Sequence, residues 1–136
     1  MKKIFFVLAW LSIVLISAGC AGTKTGAVSK KGGPTQRYAQ WALELGALPV
    51  GIDYDVKKEY KLLDNNGLFI YSVEPQSAGD LAGLKEYDVI LKIGDTRVYN
   101  KESFVLAIES AYQLSKHVPF MIRRGDKTMD LYIQLR

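Results

Sequence analysis

The chain contains very little cysteine and histidine. Its 136 residues include one residue of each type, Cys20 and His117. A single cysteine excludes an intramolecular disulfide and any metal site built from several cysteines. A serine protease triad would have to use His117, and the sequence has no Gly-x-Ser-x-Gly motif to accompany it. Because His117 precedes a predicted strand near the C-terminus, we interpret it as a surface loop residue.

The chain also lacks a strong excess of one charge. It has 18 basic and 14 acidic side chains, and loss of Lys2 and Lys3 with a leader would reduce the net charge from +4 to +2. A charge this small, without a concentrated basic patch, argues against nucleic acid as a partner. Apolar residues make up 49% and charged residues 24%, which is typical of a globular chain. The length allows one ordinary domain after a leader.

One apolar run stands out, at the N-terminus. Residues 1–3 include two lysines, and residues 4–16 (IFFVLAWLSIVLI) are apolar apart from one serine. The run is shorter than the roughly 20 residues that a spanning helix needs. Three small residues (SAG) then precede Cys20. This layout predicts a signal peptide over residues 1–19.

The segment ISAGC, which ends at Cys20, resembles the lipobox of bacterial lipoproteins, with Ser17 where leucine is commonest. The resemblance implies a diacylglycerol on the Cys20 sulfur, cleavage before Cys20, and acylation of the new N-terminus. Ala21 in place of aspartate implies an outer-membrane protein facing the periplasm, if the source has two membranes. At about 0.8 kcal/mol per buried methylene, two or three acyl chains would hold the protein on a membrane. The alternative is an uncleaved anchor with an incidental cysteine.

Two segments separate the cysteine from the main domain. Residues 20–34 are rich in glycine, serine, threonine and lysine, which predicts a flexible tether. Residues 35–46 are predicted to form a helix, with Thr35 as its cap and Gly46 as its stop. The apolar positions of this helix share one face: Tyr38, Trp41, Ala42 and Leu45. That face either packs on the following domain or lies at a membrane surface.

Residues 47–136 have the pattern of an α+β domain with five or six short strands. Ile52, Tyr54 and Val56 alternate with two aspartates, which predicts a first strand with the aspartates toward solvent. Further strands are predicted at residues 67–73, 89–93, 118–123 and 128–135, and Val98 would continue a short pairing. A long helix is predicted over residues 101–114, with Asn100 as its cap.

Residues 73–98 (VEPQSAGDLAGLKEYDVILKIGDTRV) resemble the core of bacterial PDZ domains of the envelope-protease type. In that family a strand is followed by a Pro-x-Ser turn, a short helix ending in Ala-Gly-Leu, and an Asp-hydrophobic-Ile entry into the next strand. The matching residues are Pro75, Ser77, Ala82, Gly83, Leu84, Asp88, Val89 and Ile90. The departures are Ala78 for proline, Tyr87 for glycine, and Gly94-Asp95 for Asn-Gly.

The resemblance extends over about 90 residues and implies a PDZ-like fold. This is a small, partly open β-barrel or sandwich with one long and one short helix, here preceded by the extra N-terminal helix. Gly83 is expected to have a positive φ, Leu84 to enter the core, and Asp88 to accept backbone hydrogen bonds.

The resemblance also implies a ligand class, since PDZ domains bind extended peptides, usually protein C-termini, by strand addition. The hydrophobic-Gly-hydrophobic loop that holds the carboxylate matches Val50-Gly51-Ile52. The following strand would add Asp53 and Tyr54, with Ile52 and Tyr54 facing the long helix. The long helix would contribute four residues to the groove: Lys101, Phe104, Val105 and Ile108.

No catalytic residue, metal ligand or cofactor site is predicted, so the sequence does not indicate an enzyme. Three functions fit it. The first is a membrane-tethered module in the cell envelope that binds extended or C-terminal peptides. The second is an accessory subunit of an envelope protease or secretion complex. The third is a structural domain whose groove is filled by its own N-terminal helix, which requires the face of Tyr38, Trp41 and Leu45 to lie over the groove.

Overall fold

The structure, a computed structural model, describes residues 32–136. The predicted signal peptide, Cys20 and most of the predicted tether lie outside the described residues. In the described part of the chain, no helix has both the length and the apolar character needed to cross a membrane. Residues 32–136 also contain no cluster of three or more His, Cys, Asp or Glu side chains that could hold a metal ion.

An open antiparallel sheet with helices packed against it forms the described part of the chain. In chain order the elements are α1 (Pro34–Leu45), β1 (Ala47–Gly51), α2 (Tyr54–Glu59), β2 (Leu68–Val73), α3 (Ala78–Leu81), β3 (Val89–Ile93), β4 (Thr96–Arg97), α4 (Lys101–Leu114), β5 (His117–Arg124) and β6 (Lys127–Gln134). The sheet order is β1-β2-β3-β5-β6, and β4 pairs with β3. The predicted PDZ-like α+β fold is confirmed, and β1 and β6 are the edges of the sheet.

The N-cap of helix α1 lies two residues earlier than predicted. Gly33, not Thr35, is the N-cap, because Pro34 occupies the first helical turn, where its fixed φ is favourable. The predicted stop is correct: Gly46 has φ 69° and its N–H donates to carbonyls of the last turn. A Cβ at Gly46 would lie 2.0 Å from the Cβ of Ser77, so no other residue fits this junction.

The strand predicted over Ile52, Tyr54 and Val56 is wrong. Strand β1 ends at Gly51, and α2 begins at Tyr54. The Asp53 carboxylate accepts a hydrogen bond of 2.8 Å from the Val56 N–H and so caps α2. Asp53 is therefore a capping residue rather than the solvent side of a strand.

Helix α4 has the predicted bounds and the predicted cap. The Asn100 side chain accepts from the Ser103 N–H at 2.7 Å, and the Ser103 hydroxyl oxygen accepts from the Asn100 N–H at 3.0 Å. This reciprocal capping box fixes the start of the helix. The predicted strand over residues 89–93 and the C-terminal hairpin are also confirmed.

A single apolar core lies between the sheet and the helices α1 and α4. Leu84 and Ile90 belong to it and are buried, as predicted. The N-terminal helix contributes Tyr38, Trp41 and Leu45 to the same core. The interpretation that the apolar face of this helix packs on the following domain is therefore confirmed.

Candidate functional site

Strand β1 is an edge strand, so one side of its backbone has no strand partner in the described sheet. Its other side pairs with β2, with Pro49 opposite Ile70 and Gly51 opposite Leu68. Helix α4 lies beside β1 and carries four of the residues predicted for the groove. The candidate site is thus the cleft between β1 and α4, and we call it the β1–α4 cleft.

The end of β1 has the geometry expected of a backbone binding loop. Gly51 is exposed, and a Cβ built there would meet nothing within 4 Å. Its φ lies outside the left-handed region, so alanine can adopt the same backbone conformation. None of the hydrogen bonds found among residues 32–136 uses the N–H groups of Ile52 or Asp53. These donors are available to an anionic ligand group.

The predicted residues on α4 lie at two depths. Phe104, Val105 and Ile108 are buried in the core, whereas Lys101 is exposed at the start of the helix. Tyr54, predicted to face α4 from a strand, instead starts α2 and is 73% exposed. The structure therefore places β1 and α4 side by side but does not add Tyr54 to a groove wall.

Tyr38 of helix α1 fills the β1–α4 cleft. Its hydroxyl donates a hydrogen bond to the Pro49 carbonyl oxygen, which belongs to β1. Its ring meets the Phe104 ring edge to face, with centroids 5.8 Å apart. The Lys101 ammonium lies 5.0 Å from the Tyr38 ring centroid, within cation–π range. One side chain thus contacts both walls of the cleft.

The rest of α1 packs along α4. The Trp41 and Tyr112 rings meet edge to face at 5.2 Å, and the Trp41 indole N–H donates to the Glu109 carboxylate at 3.4 Å. Arg37 forms a salt bridge with Glu109 at 3.1 Å. The sequence analysis placed Tyr38 over the groove only as one of three alternatives and did not include it among the predicted site residues. Its spacing with Trp41 predicted an apolar face, but not the partner of that face.

An ion pair between buried Asp88 and partly exposed Arg124 was also missed. Asp88 is fully buried, and its carboxylate receives hydrogen bonds of 2.8 Å from both Nε and Nη2 of Arg124. Arg124 Nη2 also donates to the Gly83 carbonyl oxygen at 2.8 Å. The predicted backbone bond is present as well, from the Lys85 N–H to Asp88. These contacts lock the loop after α3 onto the β5–β6 hairpin.

Burial in the cleft affects the Tyr38 phenol. Desolvation raises the pKa of Tyr38 from 10.0 to about 12. Because the folded pKa lies above the unfolded one, the stabilisation from Tyr38 is complete below pH 10 and is lost as the pH rises to 12. The phenolate cannot donate to Pro49, so α1 should loosen in this range. Subtracting the absorbance of Tyr38→Phe from that of wild type isolates the tyrosinate absorbance of Tyr38. We expect this difference to titrate with a midpoint near pH 12. A midpoint near 10 would contradict the buried position of Tyr38.

Comparison with known proteins gives matches to one domain type. The family model described as PDZ domain matches residues 49–135. The mitochondrial serine protease HTRA2 of Bos taurus is 38% identical over 68 residues, which are 50% of this chain and 14% of that protein. The chain therefore spans a small part of this relative's length.

Two solved structures share the fold. The HtrA3 PDZ domain bound to a phage-derived ligand (FGRWV) superposes with a TM-score of 0.55 at 17% identity, covering 68% of this chain and 83% of that one. The HtrA-type protease AlgW with a decapeptide superposes with a TM-score of 0.54 at 18% identity, covering 68% of this chain and 29% of that one. At these identities the likeness is one of fold.

Proposed function

Since the chain belongs to the PDZ domain family, we propose that it is a module that binds extended peptides, in particular protein C-termini, and that it has no catalytic activity. The ligand would add to the end of β1, and its carboxylate would be held by the Val50-Gly51-Ile52 loop, through the free backbone N–H groups of Ile52 and of Asp53, which follows the loop. The HtrA3 PDZ domain and AlgW, which share the fold, carry peptides in their structures.

The observation that carries the proposal is the open approach to Gly51 at the end of an edge strand. A carboxylate needs close access to consecutive backbone donors, and a glycine without neighbouring atoms permits that approach. Lys101, exposed at the start of α4, would supply a cation beside the ligand. Phe104, Val105 and Ile108 would form the apolar floor for the last ligand side chain.

The test compares wild type with Gly51→Ala, in the full chain purified in detergent. The probes are a library of C-terminal pentapeptides that includes FGRWV, each with an amidated twin. We expect a Kd of roughly micromolar for the free acids, since a few strand hydrogen bonds and one side chain provide the binding energy. Gly51→Ala should weaken binding about tenfold or more and leave the unfolding temperature unchanged, because the added methyl meets no protein atom. Equal affinities for acids and amides would exclude carboxylate recognition.

We also propose that a lipid on Cys20 anchors the module to a membrane, the outer one facing the periplasm if the source has two. The support is the small-residue run before Cys20 at the end of an apolar segment. Cys20→Ser should prevent fatty-acid labelling and leave unprocessed precursor in the membrane. If the variant is still trimmed and labelled, the anchor is not a Cys20 lipid.

One observation favours a second candidate function. Tyr38 already contacts both walls of the β1–α4 cleft, as an occupying ligand would. A permanently occupied cleft would make the domain structural, with partners on other surfaces. That alternative predicts that no C-terminal peptide binds wild type or any variant in which α1 is released.

A further inference from the structure

We infer that the N-terminal half of α1 is a removable cover on the β1–α4 cleft, and that a peptide enters only when Tyr38 leaves. This inference rests on the proposed function and adds its regulation. The apparent affinity of the module for peptides then depends on the fraction of molecules in which the cover is open. Any partner that holds residues 34–41 away from the domain would then switch peptide binding on.

The contacts of Tyr38 are those that a bound peptide would make. On β1 it uses the Pro49 carbonyl, a backbone acceptor that the sheet leaves unpaired. On α4 it uses the Phe104 ring and the Lys101 ammonium. A peptide strand added to β1 would need the same acceptor and the same space. Tyr38 and a peptide are therefore mutually exclusive.

Helix α1 is poorly stabilised on its own, particularly at its N-terminal end. It has 12 residues, no side-chain hydrogen bond at its N-cap, no acidic residue in its first turn and no basic residue in its last. Isolated helices of this length are marginally stable in water. A side-chain hydrogen bond at the N-cap and charges of the right sign at each end would add stability, but α1 has none of these. The helix therefore depends on packing against α4, and loss of the Tyr38 contacts should fray it.

The opposite end of α1 is fixed. Leu45 is fully buried, and the Gly46 carbonyl accepts a 2.7 Å hydrogen bond from the Glu74 N–H. Gly46 also packs directly against Ser77. Opening is thus confined to the turns that carry Tyr38 and Trp41, while the junction with β1 stays in place. The core beneath can remain folded when the cover opens.

The first test weakens the cover by mutation. The background is the full chain with Trp10→Phe and Cys20→Ser, purified in detergent, so that Trp41 is the only tryptophan. We expect Tyr38→Ala to raise the affinity for C-terminal peptides at least tenfold, because the open fraction limits the apparent Kd. Tyr38→Phe, which loses only the hydroxyl, should give a smaller increase. Leu43→Ala, on the exposed face of α1, is the matched control and should change nothing.

The second test locks the cover. Arg37→Cys and Glu109→Cys replace a pair of side chains that meet across α1 and α4. A bifunctional methanethiosulfonate reagent links them, and dithiothreitol releases the link. We expect the linked protein to lose peptide affinity at least tenfold and to regain it on reduction. In the reduced form, peptide addition should shift Trp41 emission to longer wavelength, since the ring leaves its buried site.

The outcomes separate this inference from the proposed function. Equal peptide affinity in the linked and reduced forms would overturn the removable cover and leave peptide binding intact. Failure of every peptide to bind Tyr38→Ala, with Trp41 exposed and amide exchange still protected in β2, β3 and β5, would contradict both. Raised affinity in Tyr38→Ala together with lost affinity in the linked form would support the cover.

Discussion

We expect Arg124→Ala to lower the free energy of unfolding by about 3 kcal/mol or more, because it leaves the Asp88 carboxylate buried without its counter-charge. Asp88 is 0% exposed, and both of its oxygens receive hydrogen bonds from Arg124. After the substitution, the Lys85 N–H is the hydrogen-bond donor that remains. The Gly83 carbonyl loses its contact as well. Urea unfolding of wild type and variant measures the difference.

Arg123→Ala is the matched control for this prediction. Arg123 is the neighbouring arginine and also makes two hydrogen bonds to a carboxylate, that of Asp64. The Asp64 side chain is 40% exposed, so water screens the pair and its loss should cost about 1 kcal/mol or less. Equal losses for the two arginine variants would mean that Asp88 is not buried as described.

The second large effect on stability concerns two core residues of the segment 73–98, which carries the resemblance to PDZ domains. Leu84→Ala and Ile90→Ala should each lower the free energy of unfolding by about 2–5 kcal/mol, because each removes a buried aliphatic side chain and leaves a cavity. In a domain of this size, 1 kcal/mol corresponds to roughly 4–8 °C in Tm. Leu81→Ala, at a 75% exposed position on α3, is the control and should change the Tm little. Unchanged melting of both core variants would show that the turn and strand are misplaced.

The part of the fold that was predictable is the part in which local signals agree. The Ala82-Gly83-Leu84 segment ends α3 with Gly83 at φ 95° and sends Leu84 into the core. Asn100 caps α4 where capping chemistry predicted it. In both cases a turn or cap residue stands next to residues with a periodic apolar pattern. Local backbone propensity and side-chain burial therefore favour the same structure.

The segment after Gly51 was mispredicted because two local signals conflict. Alternation of Ile52, Tyr54 and Val56 favours a strand, whereas Asp53 as a cap with Asp55 in the first turn favours a helix. Five alternating residues are too short a pattern to decide between them. The helix forms, and the extended segment next to the binding loop is consequently short.

The candidate site was only partly predictable because its decisive contacts are long-range. Tyr38 meets Phe104 across 66 positions of sequence, and Arg124 reaches Asp88 across 36. The pattern on α1 predicts an apolar face, but the position of that face depends on the junction at Gly46 and on the open edge of β1. Such contacts follow from the assembled sheet rather than from any local spacing.

The most direct test of peptide binding in the β1–α4 cleft is a backbone amide chemical-shift map. The ¹⁵N-labelled full chain in detergent would be titrated with the best C-terminal peptide from the library. We expect the largest shifts at residues 50–52 and 101–108, together with loss of helical shifts at residues 35–41. Shifts confined to another surface, such as the stacked rings of Tyr60, Phe69 and Tyr87, would contradict peptide binding in this cleft.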